Sequence, residues 1–268
     1  LILVLLVISI FVKRLSLQGE LERSLQKDEF EINYLPVISL ETGRCVGAEA
    51  LISWRQPGGK RVRPDLFIPL AEDTGLIEPM TEWLMKKILD ETEKLLQQDR
   101  SLHIAINLSP SHLETDRILQ TSSAIFGNSG VLPEQIIYEI TERSLIEDEG
   151  KARQVMECLN TRNSSIALDD FGTGYSSLAY IESFPLDFLK IDRQFVRAIG
   201  SEALTAGLID TIIDMAKRLE LRTIAEGVET AVQEEYLARQ GVDFAQGWYY
   251  SKAVPVDEFI RFLARRNT

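Results

Sequence analysis

The feature that most constrains this chain is a regular alternation of short apolar runs with longer stretches of helical periodicity, which starts at Phe30. The runs that predict strands are Phe30–Val37, Cys45–Trp54, His103–Leu108, Gln135–Ile140, Ser165–Asp169, Asp187–Ile191, Arg222–Ala225 and Phe244–Gln246. The helix candidates among them include Glu78–Gln97, Gly150–Thr161, Glu202–Leu219, Ala231–Gln240 and Val256–Arg265. Strand followed by helix, repeated, is typical of an α/β protein with a mainly parallel sheet.

Eight strand candidates within 268 residues predict a modified TIM-type (β/α)8 barrel, a fold that usually takes about 250 residues. An open doubly wound sheet is the alternative, but no Gly-x-Gly-x-x-Gly motif follows the first strand to support it. The first two runs are joined by residues 39–44, a connection too short for a crossover helix. One strand is therefore expected to be antiparallel, which departs from the standard barrel.

The sequence begins with an apolar run, Leu1–Val12, that only Ser9 interrupts, and Lys13 and Arg14 follow at once. Such a run is too short to cross a bilayer, which takes about 20 apolar residues. We interpret residues 1–14 as the end of a longer transmembrane helix, with the basic pair on the cytoplasmic side. A buried helix, or a segment added for expression, is the alternative.

Residues 15–27 predict an amphipathic connector between this run and the first strand. Its apolar positions are Leu15, Leu17, Leu21 and Leu25, with charged residues between them. No low-complexity tract and no second linker follows, so residues 28–268 are predicted to form one domain.

Polar side chains occupy the downstream ends of the predicted strands. Glu49 lies within the second strand, and the next six strands end in Asn107, Glu139, Asp169 with Asp170, Lys190, Glu226 and Gln246. In a parallel barrel these ends meet on one face, so residues far apart in sequence share one site. Converging carboxylates repel one another and take up protons unless cations bind among them.

The composition limits which cation can bind. The chain has two histidines, His103 and His112, and two cysteines, Cys45 and Cys158, and these are not spaced as zinc ligands. A site built from oxygen atoms favours Mg²⁺, Mn²⁺ or Ca²⁺. The net charge of −12 argues against a broad DNA or RNA binder.

Each of these residues has a structural explanation when taken alone. A strand-end Asp or Glu is often a helix cap, Asn107 fits turn chemistry, and Lys190 fits a structural salt bridge. The set of consecutive strand ends favours function, because two hard cations held there clamp a phosphodiester and activate a water. Residues 169–177, Asp-Asp-Phe-Gly-Thr-Gly-Tyr-Ser-Ser, join paired acids to two glycines and predict a mobile loop over the site.

Taken together, the motifs resemble the EAL-domain family, the phosphodiesterases of the bacterial second messenger cyclic di-GMP. The matching segments are Glu49-Ala50-Leu51, Asn107-Leu108-Ser109, Glu139-Ile140-Thr141-Glu142, the 169–177 loop, Lys190-Ile191-Asp192, Glu226-Gly227-Val228-Glu229 and Gln246-Gly247. They occur in the family's order over about residues 25–265. The first motif alone is a weak signal, whereas the ordered set is specific.

The resemblance implies that two Mg²⁺ or Mn²⁺ ions per active site open cyclic di-GMP to linear pGpG, and that Ca²⁺ inhibits. It assigns one metal to Glu49, Asn107, Glu139 and Asp169, and the second to Asp169 and Asp170 with Glu226 nearby. Lys190 would orient the attacking water, and Glu226 is a candidate general base. The residues that would contact the substrate are Leu51, Arg55 and Gln246. Glu142 and Glu229 would brace the glycine loop.

The resemblance also implies a homodimer formed through the segment Tyr175–Ser183. Together with the N-terminal apolar run, it predicts a protein of the bacterial inner membrane with its catalytic domain in the cytoplasm.

One position departs from the family pattern. Active members usually carry an Arg four residues after the first Glu, where it contacts the ligand, and here that residue is Ser53. Strand alternation puts Ser53 and Arg55 on the same face as Glu49, so Arg55 is a candidate substitute about 6–7 Å further along. Losing one charged contact costs about 1.5–3 kcal/mol, which predicts weaker substrate binding with the metal chemistry intact.

Two other functions compete with an active phosphodiesterase. One is a catalytically weak or silent cyclic di-GMP receptor that signals through its connector, although silent members usually lose metal ligands that this sequence keeps. The other is a barrel hydrolase for a different phosphodiester, and the complete motif set argues against it.

Overall fold

The computed structural model describes residues 16–27, 29–56, 58–146, 148–171, 181–200 and 207–267. Its strands are β1 (Phe30–Ser39), β2 (Cys45–Arg55), β3 (Arg61–Val62), β4 (His103–Asn107), β5 (Ile136–Thr141), β6 (Ser165–Phe171), β7 (Phe188–Ile191), β8 (Arg222–Ala225) and β9 (Phe244–Ala245). The sheet order is β1-β9-β8-β7-β6-β5-β4-β2-β3, and β1 also pairs with β2. This last pairing closes an eight-stranded barrel within the described residues and leaves β3 outside the ring.

The predicted barrel is confirmed, and so is its single antiparallel strand. β1 runs antiparallel to both of its neighbours, β2 and β9, and the other ring pairings are parallel. The reason is the short turn after Ser39, where Gly43 takes a left-handed φ of 70° and its N–H donates to the Ser39 carbonyl. β3, two residues long, is an addition that the sequence pattern did not predict.

Helices surround the ring. They are α1 (16–26), α2 (Pro64–Thr74), α3 (Ile77–Gln98), α4 (Arg117–Phe126), α5 (Glu142–Ile146), α6 (Glu149–Thr161), α7 (Arg193–Arg197), α8 (Leu208–Arg218), α9 (Ala231–Arg239) and α10 (Val256–Arg266). The predicted helix Glu202–Leu219 is α8 in its described part, and residues 202–206 lie outside the described residues.

An apolar layer fills the lower interior of the barrel. It consists of Val37, Ala105, Ile137, Ala167, Phe188 and Ile224, with Val46 and Phe244 packed against it. Side chains two positions apart on a strand point to the same face, so the residues two positions downstream form the next layer up. That next layer is polar: it contains Asn107, Glu139, Asp169, Lys190, Glu226 and Gln246.

The predicted connector is a helix that packs on the barrel. Leu21 of α1 is fully buried, and Leu17 and Leu25 pack against the same cluster, which includes Phe30 and Trp54. A side-chain hydrogen bond of 2.6 Å from Gln56 to Glu20 adds to this contact. The described part of the predicted connector therefore packs against the barrel.

Within the described ranges, no helix is both long enough and apolar enough to span a membrane. The predicted transmembrane segment, residues 1–14, lies outside those ranges, as does most of the predicted dimer segment at 175–183. Both stay predictions.

Candidate active site

Lys190 lies at the centre of the polar layer, at the end of β7. Its Nζ is 2.7 Å from Glu139 Oε2, 2.8 Å from Glu226 Oε1, 3.1 Å from Asp169 Oδ2 and 3.5 Å from Glu49 Oε2. These carboxylates come from four different strands, with Glu49 inside β2 and the other three at or just beyond the ends of their strands, and the Lys190 side chain is only 1% exposed. The structure thus brings the predicted strand-end residues together around one buried ammonium.

The charges in this cluster do not balance, because one ammonium faces four carboxylates. Burial raises the pKa of Glu139 well above its usual range, and the neighbouring Glu49 raises it further. Burial also raises the pKa of Glu226 to about 7, with Lys190 opposing the shift. Burial alone lowers the pKa of Lys190, but the surrounding carboxylates outweigh it and raise that pKa well above its ordinary value. The ammonium stays charged, and in the absence of a divalent cation the raised pKa values of Glu139 and Glu226 favour protonation of these two carboxyls.

Two amide side chains hold Glu49 in place. Asn107 Nδ2 donates to Glu49 Oε1 at 2.8 Å, and Gln246 Nε2 donates to Glu49 Oε2 at 2.8 Å. Burial raises the pKa of Glu49, but Lys190 and these two hydrogen bonds outweigh burial and the net shift is downward. Gln246 also donates to Glu226 Oε1 at 2.9 Å, so one amide links the ends of β2, β8 and β9.

A β-bulge brings two acids to the end of β6. The β6–β7 register shifts between Leu168 and Phe171, so that Asp169 and Asp170 together lie opposite Lys190. Asp170 has a left-handed φ of 56°, a conformation that Asp tolerates better than most residues. Burial raises the pKa of Asp170, and Asp169 and Asp192 raise it further, so Asp170 belongs to the same electrostatic cluster.

A cleft of about 300 Å³ opens over this cluster. The predicted site residues that line it are Glu49, Leu51, Asp169, Glu226, Glu229 and Gln246. It is also lined by Gly227 and Gly247 of the predicted motifs, and by four residues that no predicted motif contains: Leu35, Arg193, Arg197 and Trp248. The spacing of Arg193 and Arg197, one helical turn apart just beyond the Lys190 strand, was the signal that could have identified that pair.

Ser53 and Arg55 are both engaged elsewhere. Ser53 Oγ accepts a hydrogen bond of 3.2 Å from Asn33, and Arg55 Nε lies 3.1 Å from Glu31 Oε1. Arg55 is not among the described residues that line the cleft. The structure therefore gives no support to Arg55 as a substitute for the guanidinium that Ser53 lacks.

The two glutamates predicted to brace the glycine loop differ in their surroundings. Glu142 is 5% exposed at the start of α5, and Glu229 is half-exposed and forms an ion pair of 3.0 Å with Arg197. Residues 172–177 of the predicted loop lie outside the described residues, so the bracing role stays a prediction.

The donor set suits a hard divalent cation. In the described part of the chain, no three carboxylate, imidazole or thiol side chains form a metal-binding cluster by themselves. The carboxylates turn instead toward the Lys190 ammonium. Even so, the donors are carboxylate and amide oxygens, and four carboxyl groups share a single ammonium, which is the chemistry that suits Mg²⁺ and Mn²⁺.

Comparison with known proteins gives the family. A family profile described as "EAL domain" matches residues 18–253. The chain belongs to the EAL domain family. This EAL domain is 40% identical over 242 residues to the probable cyclic di-GMP phosphodiesterase PdeB of Escherichia coli K12, a match covering 90% of this chain and 46% of PdeB. It is 37% identical over 240 residues to the cyclic di-GMP phosphodiesterase PdeL of the same organism, covering 88% of this chain and 66% of PdeL.

Solved structures agree with the family assignment. A structure described as the PaMucR phosphodiesterase in complex with c-di-GMP superposes with a TM-score of 0.86 at 31% identity, covering 91% of this EAL domain and 99% of that chain. The EAL enzyme Bd1971, in a form with cAMP and cyclic di-GMP bound, gives 0.88 at 28% identity, covering 94% and 69%. The chain spans about half the length of several curated relatives that it matches.

Proposed function

We propose that this EAL domain is a phosphodiesterase that hydrolyses cyclic di-GMP to linear pGpG. One observation carries the proposal: four carboxylates from four different strands gather around Lys190, and three of them, Glu49, Asp169 and Glu226, line an open cleft. Relatives that share 35–40% of the sequence are named as cyclic di-GMP phosphodiesterases, with "probable" in several of the names.

Two divalent cations, Mg²⁺ or Mn²⁺, complete the site in this proposal. The residues that would hold one ion are Glu49, Asn107, Glu139 and Asp169. The residues that would hold the other are Asp169 and Asp170, with Glu226 nearby. Cations bound there supply Lewis-acid stabilisation of phosphate charge and a water of lowered pKa. Support comes from the oxygen donor set and from the raised pKa values of Glu139 and Glu226, which are expected of converging carboxyls that lack a cation.

The chain's own residues perform the remaining tasks. Hydrolysis forms a bond between a water oxygen and one phosphorus, and breaks the P–O3′ bond of the ring to leave a 5′-phosphate on the linear product. The departing O3′ takes up a proton from solvent and becomes a hydroxyl. Lys190 remains an ammonium, and its N–H groups orient the attacking water and the carboxylates around it. Glu226, 2.8 Å from Lys190 Nζ, accepts the proton of the water at a carboxylate oxygen. Gln246 keeps the Glu226 and Glu49 carboxylates in a fixed relative position.

The test is direct. Purified protein is incubated with cyclic di-GMP and Mg²⁺ or Mn²⁺, with Ca²⁺ in parallel, and pGpG is measured by chromatography. We expect turnover with Mg²⁺ or Mn²⁺ and none with Ca²⁺.

Glu49→Gln removes one carboxylate and should lower turnover by more than about 100-fold. Glu82→Gln, in a surface ion pair with Lys86, is the matched control. Binding of cyclic di-GMP without turnover under either metal would favour the silent receptor instead.

We also propose that the protein is a homodimer attached to the bacterial inner membrane, with this domain on the cytoplasmic side. Support comes from the apolar run Leu1–Val12 with its following basic pair, and from the family resemblance. Membrane fractionation and sedimentation of the purified protein test the two parts separately.

A further inference from the structure

We infer that Arg193 and Arg197 on α7 bind the phosphodiester group of the substrate that is not being cleaved. The inference rests on the proposed function and extends it, because it assigns substrate recognition to residues outside the family's motifs. The cleft is electrostatically unfavourable for such a substrate. A ligand with two phosphodiester groups carries two negative charges, and the cleft wall contains Glu49, Asp169, Glu226 and Glu229.

Cations at the floor of the site can neutralise only the phosphate that they contact. Among the described residues that line the cleft, Arg193 and Arg197 are the only cationic side chains. The position that usually supplies a guanidinium is Ser53, and Arg55 is paired with Glu31 outside the cleft. The two arginines of α7 are therefore the positive charges available to a second phosphate.

The local structure fixes α7 with both arginines on its cleft side. Phe195 and Val196 between them are buried, at 5% and 0% exposure, and anchor the helix to the core. The Asp192 side chain accepts a hydrogen bond of 2.8 Å from the Gln194 N–H and caps the helix start. Arg193 and Arg197 are four positions apart, so they lie on the same face of the helix.

A glycine holds Arg193 against the neighbouring loop. Gly227 follows Glu226 with a left-handed φ of 66°, and a Cβ at this position would lie 2.6 Å from Arg193 Cβ. Only glycine allows the loop after β8 to approach α7 so closely. Arg197 is placed from the other side by its 3.0 Å ion pair with Glu229, and the Arg197 side chain is still 54% exposed. Both guanidiniums thus remain accessible to an anion in the cleft.

A guanidinium binds phosphate through two parallel N–H donors, and an ammonium can replace its charge though not its geometry. A contact with a phosphate should therefore survive in part when Arg is replaced by Lys. A bidentate contact with the edge of a guanine base would not survive that change. The charge-conserving variants decide between these two kinds of contact.

The experiment compares Arg193→Ala, Arg197→Ala, the double variant and the two Arg→Lys variants in steady-state hydrolysis of cyclic di-GMP. We expect each Ala variant to raise KM about three- to tenfold and the double variant about 10- to 100-fold, with kcat within about twofold. Both Lys variants should recover most of the loss. The rise of KM with KCl concentration should be shallower in the double variant. Arg239→Ala removes a comparable surface arginine, paired one turn away with Glu235, and should leave KM unchanged.

Three results would overturn the inference: a KM within twofold of the unsubstituted protein in the double variant, a loss confined to kcat, or Lys variants no better than Ala. If the unsubstituted protein binds cyclic di-GMP without cleaving it, equilibrium dialysis with labelled cyclic di-GMP gives the same comparison as dissociation constants. If the unsubstituted protein neither binds nor cleaves it, the proposed function is wrong and the inference is wrong with it.

Discussion

Lys190 Nζ lies 2.7 Å from Glu139 Oε2, and the two side chains are 1% and 2% exposed. A buried ion pair of this kind is costly to disrupt on one side only, because the remaining charge is left without a partner or water. Here the remaining partners would be four carboxylates that already repel one another. Lys190 is therefore both a candidate catalytic group and the internal counter-ion of the barrel's upper layer.

Lys190→Met should destabilise the barrel when divalent cations are removed by EDTA. We expect the free energy of unfolding to fall by about 3–5 kcal/mol, because the buried carboxylates lose their cation. Added Mn²⁺ or Mg²⁺ should stabilise this variant more than the unsubstituted protein, since the metal then supplies the missing charge. Denaturant titrations with and without metal measure both effects.

Lys86→Met is the matched control, because Lys86 pairs with Glu82 on the surface of α3 and is 60% exposed. Its effect should stay below about 1 kcal/mol and should not depend on metal. Equal stability of Lys190→Met and the unsubstituted protein in EDTA would contradict the counter-ion role.

Much of the fold and of the site could be predicted from the sequence, because both follow from strand periodicity. Side chains two positions apart on a strand point to the same face, so a polar residue two positions after an interior residue also points into the barrel. Glu139 after Ile137 and Lys190 after Phe188 are examples. The observed grouping of these side chains around Lys190 follows from that alternation. The antiparallel β1 followed in the same way from a turn too short for a helix.

What could not be predicted depends on geometry beyond a single strand. The bulge at Asp169–Asp170 inserts a residue that strand alternation cannot anticipate, and it puts both acids opposite Lys190. Arg55 lies on the predicted face of β2, but its partner is set by β1, where Glu31 is close enough to bind it. Arg193 and Arg197 reach the cleft from a helix, where a strand-end rule does not apply.

Gln246→Leu should weaken metal binding more than it lowers the stability of the fold. The Gln246 amide holds Glu49 at 2.8 Å and Glu226 at 2.9 Å, so its loss frees two carboxylates to reorient. Removing such a supporting contact typically costs about 10- to 100-fold in metal affinity or activity. We expect the Mn²⁺ concentration for half-maximal turnover to rise within that range. Turnover with unchanged metal dependence would show that Gln246 does not position these carboxylates.

Ser53→Arg should strengthen substrate binding. A guanidinium at this position restores the charged contact that most active members of the family have, and such a contact is worth about 10- to 100-fold in affinity. We expect KM for cyclic di-GMP to fall and kcat to change little. Ser53→Gln adds comparable length without charge and serves as the control. An unchanged KM in Ser53→Arg would refute the account of weakened binding.

His103 should make the stability of the barrel sensitive to acid. Burial and, to a lesser extent, the nearby Arg222 together lower the pKa of His103 from its ordinary value of 6.5 to about 4. The folded state keeps His103 neutral at pH 5, whereas the unfolded chain protonates it below pH 6.5. The contribution of neutral His103 to the free energy of unfolding is therefore complete above pH 6.5 and is lost as the pH falls toward 4. Between pH 7 and 4.5 the unsubstituted protein should lose roughly 2 kcal/mol more than His103→Asn in urea unfolding. Parallel losses in the two proteins would assign the acid sensitivity to the carboxylates instead.

Gly227→Ala and Gly43→Ala separate backbone strain from close packing at the cleft rim. Both glycines have a left-handed φ, 66° and 70°, so both substitutions carry the same conformational cost of about 1 kcal/mol. A Cβ on Gly43 meets nothing within 4 Å, whereas one on Gly227 lies 2.6 Å from Arg193 Cβ and must displace α7 or its own loop. We expect Gly227→Ala to cost roughly 2 kcal/mol more in unfolding free energy than Gly43→Ala. It should also raise KM for cyclic di-GMP, because Arg193 and the neighbouring Glu226 move, while Gly43→Ala should leave KM unchanged. Equal effects of the two substitutions on stability and KM would mean that the loop after β8 does not hold Arg193 in place.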